Sequence, residues 1–201
     1  MAPRDRKVRD DLPAVVSARL LFEEKREKTL LPGVPELEGL LPQGGLPAGS
    51  LVDLHADEGA GALALALAIA ARQEKLRSII VVDSAGDFYP PAAAHAGIDL
   101  ERLIILKPPE KLALACLDEA LRTKAVAATI ARIRGLAPSR SHRLRVAAET
   151  GGGLGLIVRP KEERSHVSAA AVRILVEKDP GRGLVLTPLR VRGGMALGPI
   201  P

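Results

Sequence analysis

The chain has 201 residues, 47% of them hydrophobic, with 29 Lys and Arg against 24 Asp and Glu, a formal charge of +5 and a pI near 9.7. That is enough chain for one ordinary globular domain with or without an extension, and the charge excess permits contact with nucleic acid or acidic proteins without requiring either. The aromatics, Phe22, Phe88 and Tyr89, are too few to build a stacking platform for single strands, and the longest apolar run, residues 62–71, is too short to cross a bilayer.

Residues 1 to about 11 mix both signs of charge and read as a tail. Arg19 interrupts the next apolar stretch, so no secretory signal is expected and a cytoplasmic location is inferred. Asp11 can cap a helix with Leu12 and Pro13 in its first turn. Val15, Ala18 and Phe22 recur at helical spacing beside Leu21, and Pro32-Gly33 ends the element. Such an amphipathic helix, from Asp11 to Thr29, can fold back on its own domain or dock on another molecule. The chain is therefore divided into a tail and helix (1–33), a core (34–194) and a C-terminal tail (195–201).

Residues 50–71, SLVDLHADEGAGALALALAIAA, read as a buried strand, a glycine-bearing turn and a helix, the layout of a phosphate-binding loop. A loop of the G-x-x-x-x-G-K-[ST] type needs glycines for close backbone approach, a lysine on the β and γ phosphates and a hydroxyl on Mg²⁺. In this register Ala56 stands at the first glycine, and Asp57, Glu58, Gly59 and Ala60 fill the interval. Gly61 is the second glycine, Ala62 replaces the lysine and Leu63 the hydroxyl. Asp57 and Glu58 also bring carboxylates to where phosphate oxygens would lie, and each like-charge pair costs roughly 1 kcal/mol in water and about 4 kcal/mol near a protein surface. Neither Mg-nucleotide binding nor another cofactor is expected. Taken alone, the frame is equally that of any strand-turn-helix unit.

Further along, apolar strands are predicted at 51–55, 78–83, 103–106, 126–133 and 154–158, separated by helices at 61 to about 74, 91–96, 110–123 and 139–150. This alternation specifies an α/β fold with a mostly parallel sheet covered on both faces. Segments 172–178 and 184–191, joined by DPGRG, read as a hairpin extending the sheet edge antiparallel. Cys116, alone in LALACLDEAL, can form no intrachain disulfide and reads as a small buried hydrophobe. His55, His95, His142 and His166 lack metal-site spacing, so no metal is expected. The adjacent pairs Asp118-Glu119 and Glu162-Glu163 diverge on any regular backbone and read as surface charge. Ser84 and Ser139 lack the turn that exposes a nucleophile. Glycines 151–153 and 155 read as a helix cap and a flexible lead-in to the next strand. Lys124, Arg132, Arg134, Arg140, Arg143 and Arg145 form a run with no acidic residue between them, readable either as a DNA or acidic-partner contact or as solvated charge.

In order, these segments resemble the core of the RecA family of recombination ATPases. GGLPAGSLVDLH resembles the approach to that family's phosphate loop, and QEKLRSIIVVDSAGDFYPPAAAHAGIDLERLIIL its second strand, the acidic segment and the next helix and strand. EKLALACLDEALRTKAVAATIARI resembles the helix and strand that end in its metal-binding aspartate, and AVRILVEK to LVLTPLRVRGG its late antiparallel strands. The resemblance implies a RecA-like three-layer sandwich over 34–194. It also places the family's catalytic glutamate near Ala85 and its metal-binding aspartate at or beside Arg132. With the lysine and hydroxyl gone as well, no catalytic residue carries over, because phosphoryl transfer needs lysine, metal ligand and water-positioning base together. RGLAPSRSHRLR and RPKEERSHVS occupy the places of the family's two DNA-binding loops, in shortened form. Two groups of RecA-like proteins without an intact ATP site resemble the chain: ImuA, accessory proteins of error-prone translesion synthesis, and SulA, cell-division inhibitors that bind FtsZ. The segment DFYPP followed by AAAHAGIDLERLIILKP is more similar to ImuA. The implied role is non-enzymatic, through a repair or polymerase-associated protein and DNA as a further contact; the oligomeric state is left open.

Overall fold

A computed structural model describes residues 29–39, 41, 44–73, 75–181 and 183–192. Strand β1 (Thr29–Leu30), the short helix α1 (Pro35–Glu38) and strand β2 (Leu46–Pro47) come first, with β1 and β2 paired antiparallel. Alternation then begins: β3 (Leu51–Ala56), α2 (Ala62–Ala71), β4 (Ser78–Val82), α3 (Pro90–His95) and β5 (Leu103–Leu106). It continues with α4 (Glu110–Arg122), β6 (Val126–Arg132), α5 (Pro138–Gly151), β7 (Leu154–Pro160), β8 (Val172–Asp179) and β9 (Gly183–Val191). The main sheet has the order β5-β4-β6-β7-β3-β8-β9. Every neighbouring pair is parallel except β8 and β9. This is the mostly parallel α/β sandwich with an antiparallel C-terminal hairpin that the alternation implies.

Side chains alternate across each strand, so the sheet builds two cores. Val52, Leu54 and Ala56 of β3 pack with Leu65, Ala66 and Ile69 of α2 on one face. Leu51 and Ile157 pack with Leu117, Leu121, Leu144, Ala147 and Ala148 of α4 and α5 on the other, and Cys116 is half-buried against that second core. The α2 sequence is apolar on every side, as a helix enclosed by its surroundings must be. It ends sooner than expected because the buried amide of Gln73 turns back, donating to the Ile69 carbonyl at 2.7 Å and to the Leu31 carbonyl at 3.3 Å.

Two expectations need correction. Thr29 does not end a helix; it lies in β1 opposite Pro47, with Gly45 pressed against its methyl group. The expected helix over 11–28 and the tail at 195–201 lie outside the described residues. Gly152 does cap α5 in a left-handed conformation (φ 74°), but the glycines beside it are crowded, not a flexible lead-in. A Cβ at Gly153 would sit 2.5 Å from the Val126 carbonyl oxygen, and one at Gly155 would collide with the Leu51 and Leu121 side chains.

Candidate functional site at the carboxyl ends of the parallel strands

In open α/β sheets ligands bind beyond the carboxyl ends of the strands, where the strand order reverses. Here β3 lies in the middle of the sheet while the next strand in sequence, β4, lies beyond β7 and β6. The turn after β3 is tight. Ala60 N–H donates to the Asp57 carbonyl at 3.1 Å, and Gly59 and Gly61 take φ of 78° and 95°. A side chain at Gly61 would meet Leu184 Cδ2 at 2.7 Å, so β9 leans directly onto the turn. Ala62 is buried, and Leu63 points into the neighbouring cleft. Asp57 is drawn toward Lys161, whose Nζ lies 3.6 Å from its carboxylate and donates to Glu177 Oε1 at 2.6 Å.

That cleft opens between β4, β6 and α2, lined by Leu63, Val81, Asp83, Phe88, Ile130 and Arg132 among others. Its cavity volume is about 10 Å³, room for about one water molecule. Asp83, buried at the end of β4, accepts from Gly86 N–H at 3.0 Å and Phe88 N–H at 3.1 Å, which fixes the adjoining loop. Arg132, at the end of β6, reaches across to form a bidentate pair with Asp87 and lies 3.6 Å from Asp83. Ala85 is exposed between them. The position assigned to a metal-binding carboxylate thus carries a guanidinium already matched to two carboxylates.

A second cluster was not anticipated. Asp53 and His55 of β3, Arg159 of β7, Arg173 of β8 and Glu163 of the short 3₁₀ helix Lys161–Ser165 meet in the interior. Arg159 donates to Asp53 at 3.1 Å and to Glu163 at 2.7 and 3.1 Å, and Glu163 Oε1 accepts Gly135 N–H at 2.7 Å. Arg173 lies 3.2 Å from His55 Nε2 and donates to the Arg164 carbonyl at 2.8 Å. The sheet explains the meeting: Asp53 sits in register with Arg173, and His55 with Arg159. Glu162-Glu163 is therefore not simply surface charge. Burial pushes the Glu163 carboxyl up, but the Gly135 N–H and Arg159 outweigh it and hold it below its ordinary value.

His55 is fully buried, and burial, reinforced by Arg173 and Arg159, lowers its pKa from 6.5 despite Asp53 and the Pro160 carbonyl. The folded protein therefore keeps His55 neutral where the unfolded chain already takes up a proton. Stability from this group is complete above 6.5 and declines as pH falls below it. Melting temperatures measured between pH 7.5 and 5.5 should fall, and His55→Gln should flatten that slope; an unchanged slope would show that His55 does not carry it.

The basic run does not form one surface. Lys124 precedes β6 and Arg132 ends it, so the strand's length, about 20 Å, separates them. Arg143 donates to Asp118 at 3.2 Å twice over, from α5 to α4, and Arg122 joins the same carboxylate at 3.0 Å. Asp118 is thus buried and doubly paired, against its reading as surface charge; burial pushes its carboxyl up but the two arginines bring it below its usual value. Arg145 pairs with Glu149 on its own helix. Arg134 and Arg140 are exposed and make no hydrogen bond or ion pair among the described residues.

Residues 39–161 match the family described as the MT3502 N-terminal domain. The ImuA protein of Caulobacter vibrioides is 28% identical over 137 residues, which cover 63% of this chain and 55% of that protein. RecA of Mycoplasma genitalium is 30% identical over 110 residues, 52% of this chain and 32% of that protein. The chloroplastic DNA repair protein recA homolog 1 of Arabidopsis thaliana is 35% identical over 85 residues, 41% of this chain and 19% of that protein. The chain spans about half the length of the ImuA relative and a third or less of these two RecA relatives.

Proposed function

The chain belongs to the MT3502 N-terminal domain family, and from that membership and its likeness to ImuA and RecA proteins we propose a non-catalytic accessory role in the DNA-damage response. It acts by binding, in support of translesion synthesis or error-prone repair, in the cytoplasm; among the described residues no helix is long and apolar enough to cross a membrane. One observation carries the non-catalytic part. Where a phosphate loop and its metal would work, the chain places Ala62, Leu63 and a carboxylate facing Lys161, and Arg132 fills the space between Asp83 and Asp87. A nucleotide would have to displace these pairs and bring its own charge against Asp57 and Glu58. The partner is a repair or polymerase-associated protein, with DNA as a further contact through the exposed Arg134 and Arg140, which stand where β6 leads into α5.

The test has two arms. Equilibrium titration with Mg-ATP should give no saturable signal below millimolar concentration, and tight saturation would restore the enzyme class. Deleting the chain from its host should lower the frequency of damage-induced mutation. Wild type should restore it, and the double variant Arg134→Ala, Arg140→Ala should restore it only in part. An unaltered mutation frequency in the deletion strain would overturn the reading.

A further inference from the structure

The loops at the carboxyl ends of β6 and β7 are fastened to each other at two points. At the first, Glu163 accepts Gly135 N–H through Oε1 at 2.7 Å and Arg159 through Oε2, while Arg159 also donates to Asp53 of β3 at 3.1 Å. At the second, Ser141 in the first turns of α5 lies 3.1 Å from Ser168 Oγ and accepts Ala169 N–H at 2.9 Å. Arg159 is 1% exposed, Glu163 8% and Ser141 0%, so water competes little for these bonds and each is stronger than its surface counterpart. We propose that the relay Asp53–Arg159–Glu163–Gly135 is a built-in latch that holds residues 133–137 and 161–169 together as one preformed face, in one conformation with or without nucleotide.

The chemistry favours a latch over incidental packing. Glu163 stands on one loop while its side chain bonds Gly135 of the other and the buried arginine at once, and Arg159 passes the connection to the strand that leads into the glycine turn. In nucleotide switches such loops are ordered by the ligand's phosphate and released when it leaves. Here an internal carboxylate supplies the ordering, and a partner that binds the face meets it without the cost of immobilising the loops.

Hydrogen exchange on the full chain tests this. In wild type the amides of 133–137 and 161–169 should be protected, and millimolar Mg-ATP should leave their exchange unchanged. Glu163→Gln should speed exchange at least tenfold in both segments together while 79–82 and 127–131 keep wild-type rates. Should that variant loosen the strands too, Glu163→Asp keeps the charge beside Arg159 but shortens the reach to Gly135, and must still free 133–137. Ser141→Ala should release 168–170 and leave 133–137 protected. Faster exchange confined to 161–169 in both Glu163 variants, or wild-type loops whose rates move on adding Mg-ATP, would overturn the proposal.

Discussion

Arg159→Ala should lower the melting temperature by roughly 6–20 °C at neutral pH. The side chain is fully enclosed and lies between Asp53 and Glu163, and its loss leaves two buried carboxylates without their common partner. Breaking a buried pair in this way costs about 3–5 kcal/mol, and a chain of this size loses about 2–4 °C per kcal/mol. Asp53 Oδ1 already lacks a hydrogen-bond partner, and the cation left beside this carboxylate is Arg173, whose Nε stands 3.9 Å from Oδ2, beyond hydrogen-bond distance. The sign of the pH dependence is also set. Stranded carboxylates have raised folded-state pKa values, so protonation favours the folded variant and its deficit should shrink from pH 8 to pH 5. Neutralising the partners together, in the triple variant Asp53→Asn, Arg159→Met, Glu163→Gln, should recover part of the loss, because the members of one network are not additive. Thermal unfolding followed by circular dichroism measures all three, and a loss under 2 °C for Arg159→Ala would show that the cluster does not hold the fold.

The same cluster marks the limit of what local pattern reveals. Strands β3 to β9 and the helices between them are legible because unbroken apolar runs separated by helical runs have few other folds, and most ends fall within a residue or two of expectation. In LVDLHA, however, Asp53 and His55 look like interruptions in an apolar strand. Their meaning depends on β7 and β8 flanking β3, so that Arg159 and Arg173 arrive in register from more than a hundred residues away. No period encodes that. A signal was present nonetheless: charged or polar residues two apart in a strand otherwise apolar need buried partners, and the strand-borne arginines were the available ones.

The basic run shows the opposite limit. Lys124 to Arg145 is contiguous in sequence, yet a strand of seven residues carries the chain from one end of the sheet to the other within it. Three of its arginines are claimed by Asp87, Asp118 and Glu149, all outside the run and the first two on other parts of the fold. Counting acidic residues inside a window cannot find partners that the fold brings from outside it. Arg134 and Arg140 remain exposed and without an ion pair among the described residues, on the segment that Glu163 and Ser141 tie to the next loop. The glycine turn after β3 was legible residue by residue, but its ties, Lys161 to Asp57 and Leu184 on Gly61, come from the 3₁₀ helix after β7 and from β9 and were not.

Gly151→Ala should destabilise the chain by about 2 kcal/mol, although alanine is the better helix former. Gly151 is the last residue of α5 and lies against the end of α4. A Cβ there would fall well inside contact of the Leu121 carbonyl oxygen, 2.9 Å from the Arg122 carbonyl carbon and 3.1 Å from its oxygen. These are backbone atoms of a helix, so the strain cannot be relieved by rotating a side chain, and α4 and α5 must part. Forced separation of a packed interface costs typically 1–3 kcal/mol and sometimes more, against a propensity gain of about 0.5–1 kcal/mol. Parting the helices also loosens the Arg143–Asp118 pair, which spans this junction, and shifts the Gly151 carbonyl that accepts from Arg77. Gly152 provides the contrast: its φ is 74° and nothing lies within 4 Å of a Cβ placed there. Gly152→Asn, suited to a left-handed cap, should therefore cost less than about 1 kcal/mol. Urea unfolding of the two variants side by side should separate them by at least 1 kcal/mol, and equal stability would mean that α4 and α5 can slide apart at no cost, contrary to the close approach that Gly151 permits.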